Sequence, residues 1–108
     1  MNSPSERRLE PRLASGVRGL VIAAGFEMPC LIVDQSASGL KVRLDRALAL
    51  RGTVTVIDIA QGAAKEADVA WSKGLEAGLK LRSEASLRGL VPARLAPVRE
   101  AWRRAGGR

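Results

Sequence analysis

Six short segments rich in apolar and β-branched residues follow one another between residues 17 and 81, and they constrain the fold more than any other feature of the sequence. They span residues 17–23, 30–33, 40–44, 53–59, 67–71 and 75–81, and several of the connections between them contain glycine. The third segment alternates strictly, so that Leu40, Val42 and Leu44 share one face of a strand. Short strands at such regular spacing predict a small all-β fold, either an antiparallel barrel or a sandwich.

Towards the end of the chain the apolar residues change from strand spacing to helical spacing. They form one stripe with steps of three, four and three residues, made of Leu95, Val98, Trp102 and Ala105. Pro97 suits the first turn of a helix, and Gly106 suits the position just after its end. The pattern predicts a C-terminal α-helix that lies on one opening of the barrel, with Trp102 packed against the barrel.

The length of 108 residues indicates one domain with a single core. Residues 1–15 show no periodicity and are expected to form a flexible basic arm. Residues 16–83 are expected to form the barrel, and residues 84–108 the helix and a basic tail. Hydrophobic residues make up 46% of the chain and charged residues 27%, a balance that excludes a disordered protein.

Several classes of function are excluded by residues that the sequence lacks. It has no histidine and one cysteine, which excludes a zinc site, a nucleophile paired with histidine and an internal disulfide. That cysteine, Cys30, is expected to be a buried strand residue. No pair of carboxylates has a spacing typical of acid–base catalysis, so we expect no enzymatic activity, no metal and no cofactor. No segment resembles a signal peptide or a membrane span, so we expect a cytoplasmic protein without membrane insertion.

Positive charge is concentrated at the two ends of the chain, whose formal net charge is +7. Residues 88–108 contain six arginines and one glutamate, residues 1–18 contain four arginines and two glutamates, and the residues between them are balanced. Basic ends favour an anionic partner, although solubilising tails have the same composition.

Three arginines lie in the basic arm, Arg7, Arg8 and Arg12, and the last two form an Arg-x-x-x-Arg pattern. The pattern alone carries little weight, because Arg99 and Arg103 match it as well. Guanidinium groups on an extended arm can bind phosphate, hydrogen-bond guanine and stack on bases.

A polar turn follows Val33 and contains an Asp-x-Ser-x-x-Gly pattern, formed by Asp34, Ser36 and Gly39. In an extended segment Asp34 and Ser36 point to the same side. Their carboxylate and hydroxyl groups suit the edge of a guanine, and Gly39 permits a positive φ and the close approach of a ligand. By itself the pattern is also compatible with an ordinary turn. The arm and the turn together predict a clamp for a guanine nucleotide.

With these two motifs the sequence resembles the PilZ domain, the bacterial receptor module for cyclic di-GMP. The signatures of that family are Arg-x-x-x-Arg, often preceded by a further arginine, and Asp/Asn-x-Ser-x-x-Gly. A softer likeness lies in residues 69–71 and 78–81, which look like a later strand pair of the family. The resemblance extends from residue 6 to about residue 102.

The resemblance implies a six-stranded antiparallel β-barrel with a C-terminal α-helix. It also implies that the three arginines of the arm bind the phosphates and the faces or edges of guanine. Asp34 and Ser36 would hydrogen-bond a guanine, and Gly39 would shape the turn. Trp71 would either lie near the ligand, as in some members, or belong to the core.

The function that follows by resemblance is a bacterial, cytoplasmic receptor for cyclic di-GMP that acts as a ligand-controlled adaptor on a separate, unidentified effector protein. One alternative is a degenerate PilZ-fold interaction module without ligand, which the intact motifs disfavour. Another is a small basic barrel that binds single-stranded nucleic acid. This chain has only three aromatic residues and no tyrosine, so it offers few rings on which successive bases could stack, which disfavours the nucleic-acid alternative.

Overall fold

The computed structural model describes residues 16–108 and shows a closed barrel of six antiparallel strands followed by one α-helix. The strands are β1 (Val17–Ala23), β2 (Phe26–Gln35), β3 (Gly39–Leu44), β4 (Thr53–Asp58), β5 (Ala63–Lys73) and β6 (Glu76–Ser86). They follow the order β1-β2-β3-β6-β5-β4 around the barrel, so each strand pairs with two neighbours. The predicted all-β fold with a C-terminal helix is confirmed, and the strands form a barrel rather than a sandwich.

Alternate residues of the strands point into the barrel and fill it with apolar side chains. The buried cluster consists of Val21, Met28, Cys30, Ile32, Leu40, Val42, Leu44, Leu50, Val54, Val56, Ala67, Ala77 and Leu79. Leu50 comes from the irregular connection between β3 and β4, where its N–H donates to the Ser72 hydroxyl over 3.1 Å. Cys30 is buried in β2, as the sequence predicted.

Three strands are several residues longer than the apolar pattern predicted. β2 begins at Phe26 rather than at residue 30, and β5 and β6 each contain 11 residues. The added parts carry exposed charged side chains, such as Glu27, Glu66 and Glu84, which interrupt the apolar pattern while the backbone continues to pair. The barrel therefore continues past the boundary expected at residue 83.

The C-terminal helix α1 (Ala96–Arg104) follows a short 3-10 turn and packs on the outside of the barrel. Leu20 of β1 and Ile57 of β4 lie in one cluster with the helix, while the residues next to them in sequence belong to the barrel interior. Because successive strand residues point to opposite faces, Leu20 and Ile57 point outward. The expectation that the helix covers an opening is wrong: it covers the wall formed by β1 and β4.

Trp102 fixes the helix to this wall, in agreement with the prediction that it packs against the barrel. Its side chain is 2% exposed, and its indole N–H donates to the Ile59 carbonyl oxygen over 2.8 Å. The Arg88 guanidinium lies 5.4 Å from the centre of the indole ring. Within residues 16–108, no helix has the length and apolar character needed to cross a membrane.

Candidate functional site

An open cleft of about 500 Å³ lies where the β2–β3 turn meets β5 and β6. We call it the turn cleft; it is lined by Asp34, Gln35, Ser36, Gly39, Leu40, Lys41, Ala70, Trp71, Gly78 and Leu79. Four residues singled out from the sequence, namely Asp34, Ser36, Gly39 and Trp71, thus surround one space. Arg7, Arg8 and Arg12 lie outside the described residues, so their part in the predicted site stays a prediction.

A row of four cross-strand neighbours forms the wall of this cleft. Asp34 of β2 pairs with Lys41 of β3, Lys41 pairs with Gly78 of β6, and Gly78 pairs with Trp71 of β5. Directly paired residues project from the same face of a sheet. All four therefore share the outer face of the barrel, although they come from four different strands.

A β-bulge in β2 turns Asp34 towards this outer face. Ile32 pairs with Val42, both inside the barrel, and the register then shifts so that Asp34 pairs with Lys41. Val33 is the extra residue of the bulge. In a regular strand Asp34 would point inward like Ile32, two residues before it. The bulge places the carboxylate outside the apolar core instead.

A second bulge, in β5, has the same effect on Trp71. Val69 pairs with Leu79 and packs against the barrel core, whereas Trp71 pairs with Gly78 because Ala70 is the extra residue. Without the bulge the indole would point inward. Instead the Trp71 side chain is 46% exposed, so the alternative of a core position is wrong for this residue.

Gly78 makes room for the Trp71 indole. A Cβ atom added at position 78 would overlap the indole ring, which therefore lies over the glycine on the neighbouring strand. This placement directs the ring along the row towards Lys41, and much of its surface stays open to solvent. An exposed aromatic ring held against a strand is a surface on which a flat base can stack.

The turn that carries the Asp-x-Ser-x-x-Gly pattern is closed by hydrogen bonds of its own. The Ser36 N–H donates to the Gly39 carbonyl oxygen over 2.9 Å, and the Ser38 N–H donates to the Ser36 hydroxyl oxygen over 3.3 Å. Both serines are exposed. The Ser36 hydroxyl also lies 3.3 Å from the Ser38 hydroxyl, and it remains at the surface of the cleft, where a bound molecule can contact it.

The reason for a glycine at position 39 differs from the one expected. Gly39 is not among the glycines with positive φ, so the left-handed conformation is not what the turn requires here. A Cβ atom at this position would lie 2.6 Å from the Leu79 carbonyl oxygen. Gly39 therefore allows β3 and β6 to approach each other closely beside the cleft.

Lys41 supplies positive charge in the middle of the row. Its ammonium nitrogen lies 3.5 Å from a carboxylate oxygen of Glu76, and both side chains are partly exposed. A pair of this kind contributes little to stability, which leaves the ammonium group available to an anion. Asp34, Lys41 and Trp71 together offer a hydrogen-bond acceptor, a cation and a stacking surface.

Two residues of the row were not singled out from the sequence. Lys41 is the polar residue between Leu40 and Val42 in the strictly alternating strand, so the pattern did place it on the outer face. Gly78 interrupts an otherwise regular strand, which is a signal of close approach by another group. Neither signal alone shows which side chains of the other strands lie beside Lys41 and Gly78.

The described residues offer neither a metal-binding cluster nor a reactive thiol at this cleft. Within that part of the chain, no three acidic or cysteine side chains lie close enough to hold a metal ion. Cys30 lies inside the barrel, where burial raises the pKa of its thiol to about 12. The thiol is therefore neutral at physiological pH and is a packing group.

Comparison of the chain with protein-family models, with curated proteins and with solved structures finds no match.

Proposed function

We propose that this protein binds cyclic di-GMP in the turn cleft and acts, in the manner of a PilZ domain, as a ligand-controlled adaptor for a separate protein in the bacterial cytoplasm. The observation that carries the proposal is the row Asp34–Lys41–Gly78–Trp71, in which two bulges turn an acceptor and an aromatic ring onto the same outer face. The Ser36 hydroxyl lies in the same cleft.

The chemistry of this row matches guanine better than the other bases. The Watson–Crick edge of guanine carries adjacent N–H donors, and a carboxylate such as that of Asp34 can accept hydrogen bonds from both of them. A charge-assisted hydrogen bond of this kind is short and strong. Adenine offers only one amino donor on that edge, so Asp34 selects guanine.

The spacing of the row favours a ligand with more than one base. The Trp71 ring lies over Gly78, and two strand spacings, roughly 10 Å, separate the β6 strand from β2, which carries Asp34. One base cannot contact both ends of such a row. A dinucleotide can place one guanine at Asp34 and stack its other part on Trp71, with Lys41 between them beside the phosphates.

The register of β1 supports a contribution from the arginines of the arm. Val17 pairs with Ile32, and Gly16 lies beside Val33, the residue just before Asp34. The chain therefore enters the barrel next to the cleft. Arg12 precedes Gly16 by four residues, which span at most about 14 Å, so its guanidinium group is within reach of a ligand at Asp34.

A titration calorimetry experiment tests the proposal. Cyclic di-GMP should bind the full chain, and cyclic di-AMP, which has the same backbone and charge, should bind much more weakly. If titration with cyclic di-GMP shows no binding, the proposal is contradicted and the ligand-free interaction module is favoured. Equal affinity for both dinucleotides would contradict the role given to Asp34.

The exposure of the aromatic residues disfavours a nucleic-acid platform. The Trp102 side chain is buried between the helix and the barrel wall, Phe26 is half-buried, and Trp71 is the exposed aromatic residue among residues 16–108. Binding of single-stranded nucleic acid rests on several aromatic side chains along a groove, each stacking a successive base.

A further inference from the structure

We propose that a second cleft, which we call the helix cleft, binds an acidic segment of a partner protein, and that this segment inserts one apolar side chain into the cleft. The helix cleft lies towards the ends of β2 and β3 that are far from the β2–β3 turn. It has a volume of about 680 Å³ and lies between α1 and the outer faces of β1 and β2. Ala101 of the helix and Ala105, the residue just after it, contribute to its wall, and the strands contribute Leu20, Pro29 and Leu31. The proposal stands independently of whether cyclic di-GMP binds.

The floor of the helix cleft is apolar and partly open. Leu31 and Leu75 remain 39% and 36% exposed, although both are large hydrophobic residues. Leu31 points outward because its neighbours Cys30 and Ile32 belong to the barrel core. Two small residues, Ala101 in the helix and Ala105 at its C-terminal end, leave space above this floor. One leucine-sized side chain of a partner can therefore be buried here with a gain from apolar contact.

Two arginines flank the apolar floor. Leu31 pairs directly with Arg18 of β1 on one side and with Arg43 of β3 on the other, so the three side chains form a row on the outer face. The Cβ atoms of directly paired residues lie about 5 Å apart. A segment that places an apolar side chain on Leu31 therefore brings its neighbouring residues next to both guanidinium groups.

These two arginines have hydrogen-bonding capacity to spare. The Arg18 guanidinium donates to the Ala105 carbonyl oxygen over a long 3.5 Å. Arg43 is exposed and has no hydrogen-bond or ion-pair partner within residues 16–108. By contrast, Arg104 at the helix end is already paired with Glu27 over 2.5 Å. Forked donors without a carboxylate fit an acidic partner.

Charge also distinguishes this partner from other occupants. One further acidic residue, Asp45, lines the cleft and offsets only one of the two available arginines. Two other occupants are a second copy of this chain, which carries a net charge of +7, and the chain's own residues 1–15, which contain three arginines and two glutamates. Like charges disfavour both of these occupants. The observations favour a different, acidic protein.

Selection of random 12-residue peptides displayed on phage, with the full chain as immobilised target, tests the proposal. The enriched peptides are expected to combine one or two acidic residues with a leucine, isoleucine or phenylalanine. Arg18→Glu with Arg43→Glu should lower the affinity of a selected synthetic peptide by about tenfold or more, because two charged contacts become repulsive. Leu31→Ala should weaken the same peptide severalfold.

Arg94→Glu with Arg103→Glu is the matched control, because both arginines are exposed, neither lines the cleft, and the pair changes the net charge by as much as the cleft pair does. It should leave the selected peptide's affinity within about twofold of wild type. Equal losses in the cleft and control variants would overturn the proposal, since they would show general electrostatic attraction. The proposal is also overturned if no common pattern is enriched, or if basic peptides like residues 1–15 are selected.

Discussion

Trp71 and Gly78 are cross-strand partners, and the indole ring occupies the space in which any side chain at position 78 would lie. Because Gly78 has no Cβ atom, the exposed Trp71 ring can lie over the neighbouring strand, where it forms part of the proposed site. Because both residues line the turn cleft, the ring offers a stacking surface beside the β2–β3 turn.

Gly78→Ala is expected to displace the indole and weaken the binding of cyclic di-GMP. Stacking of one base on an aromatic ring contributes about 1–3 kcal/mol, which corresponds to a loss of roughly fivefold to 150-fold. Titration calorimetry measures the affinity, and the fluorescence emission of Trp71 reports displacement of the ring.

A double-mutant comparison gives the control for this effect. Trp71→Ala alone should weaken the ligand to a similar extent, and Gly78→Ala should then cost nothing further in the Trp71→Ala background. If Gly78→Ala weakens binding equally in both backgrounds, the glycine acts on something other than the ring.

Arg12→Ala is expected to reduce the affinity for cyclic di-GMP by about tenfold to 150-fold, as loss of a charged hydrogen bond of ~1.5–3 kcal/mol predicts. Arg103→Ala removes the same charge from the exposed face of α1 and should change the affinity little. Both affinities are measured at the same salt concentration. Similar losses for the two variants would indicate that only the overall charge matters.

Cys30 makes the stability of the barrel depend on pH in the alkaline range. Burial raises the pKa of its thiol from 9.0 to about 12, so the folded state keeps the thiol neutral where the unfolded state ionises it. The stabilisation is therefore fully present below pH 9.0 and is lost as the pH rises towards 12.

Chemical unfolding of wild type and Cys30→Ala between pH 8 and pH 11 measures this contribution. The free energy of unfolding of wild type should fall more steeply with pH than that of the variant. In addition, iodoacetamide should modify the thiol only after unfolding. Parallel pH profiles, or rapid modification of the native protein at pH 8, would contradict the assignment.

Regular alternation allowed much of the fold to be predicted, and departures from it explain what was missed. Leu40, Val42 and Leu44 alternate as predicted and point into the barrel. The two bulges have no signature in the sequence, because the extra residues Val33 and Ala70 are ordinary strand residues whose pairing depends on partners distant in the chain. The shared row of Asp34 and Trp71 therefore became visible only in the structure.

The position of the helix had a signal that pointed to the wall of the barrel. The segments at residues 17–23 and 53–59 are apolar on both faces, unlike the alternating third strand. Strands that are apolar on both faces are covered on both sides. Leu20 and Ile57 are the outward residues that the helix covers, and an opening of the barrel would not account for them.

The most direct test of the account compares two carboxylates that carry the same charge. Asp34 lines the turn cleft and Asp45 lines the helix cleft, so Asp34→Ala and Asp45→Ala make the protein more positive by the same amount. Titration calorimetry with cyclic di-GMP should show a loss of about tenfold to 150-fold for Asp34→Ala, since a charged hydrogen bond to guanine is removed. Asp45→Ala should bind as wild type or slightly tighter. If Asp34→Ala binds cyclic di-GMP as tightly as Asp45→Ala does, Asp34 does not contact the ligand and the site lies elsewhere.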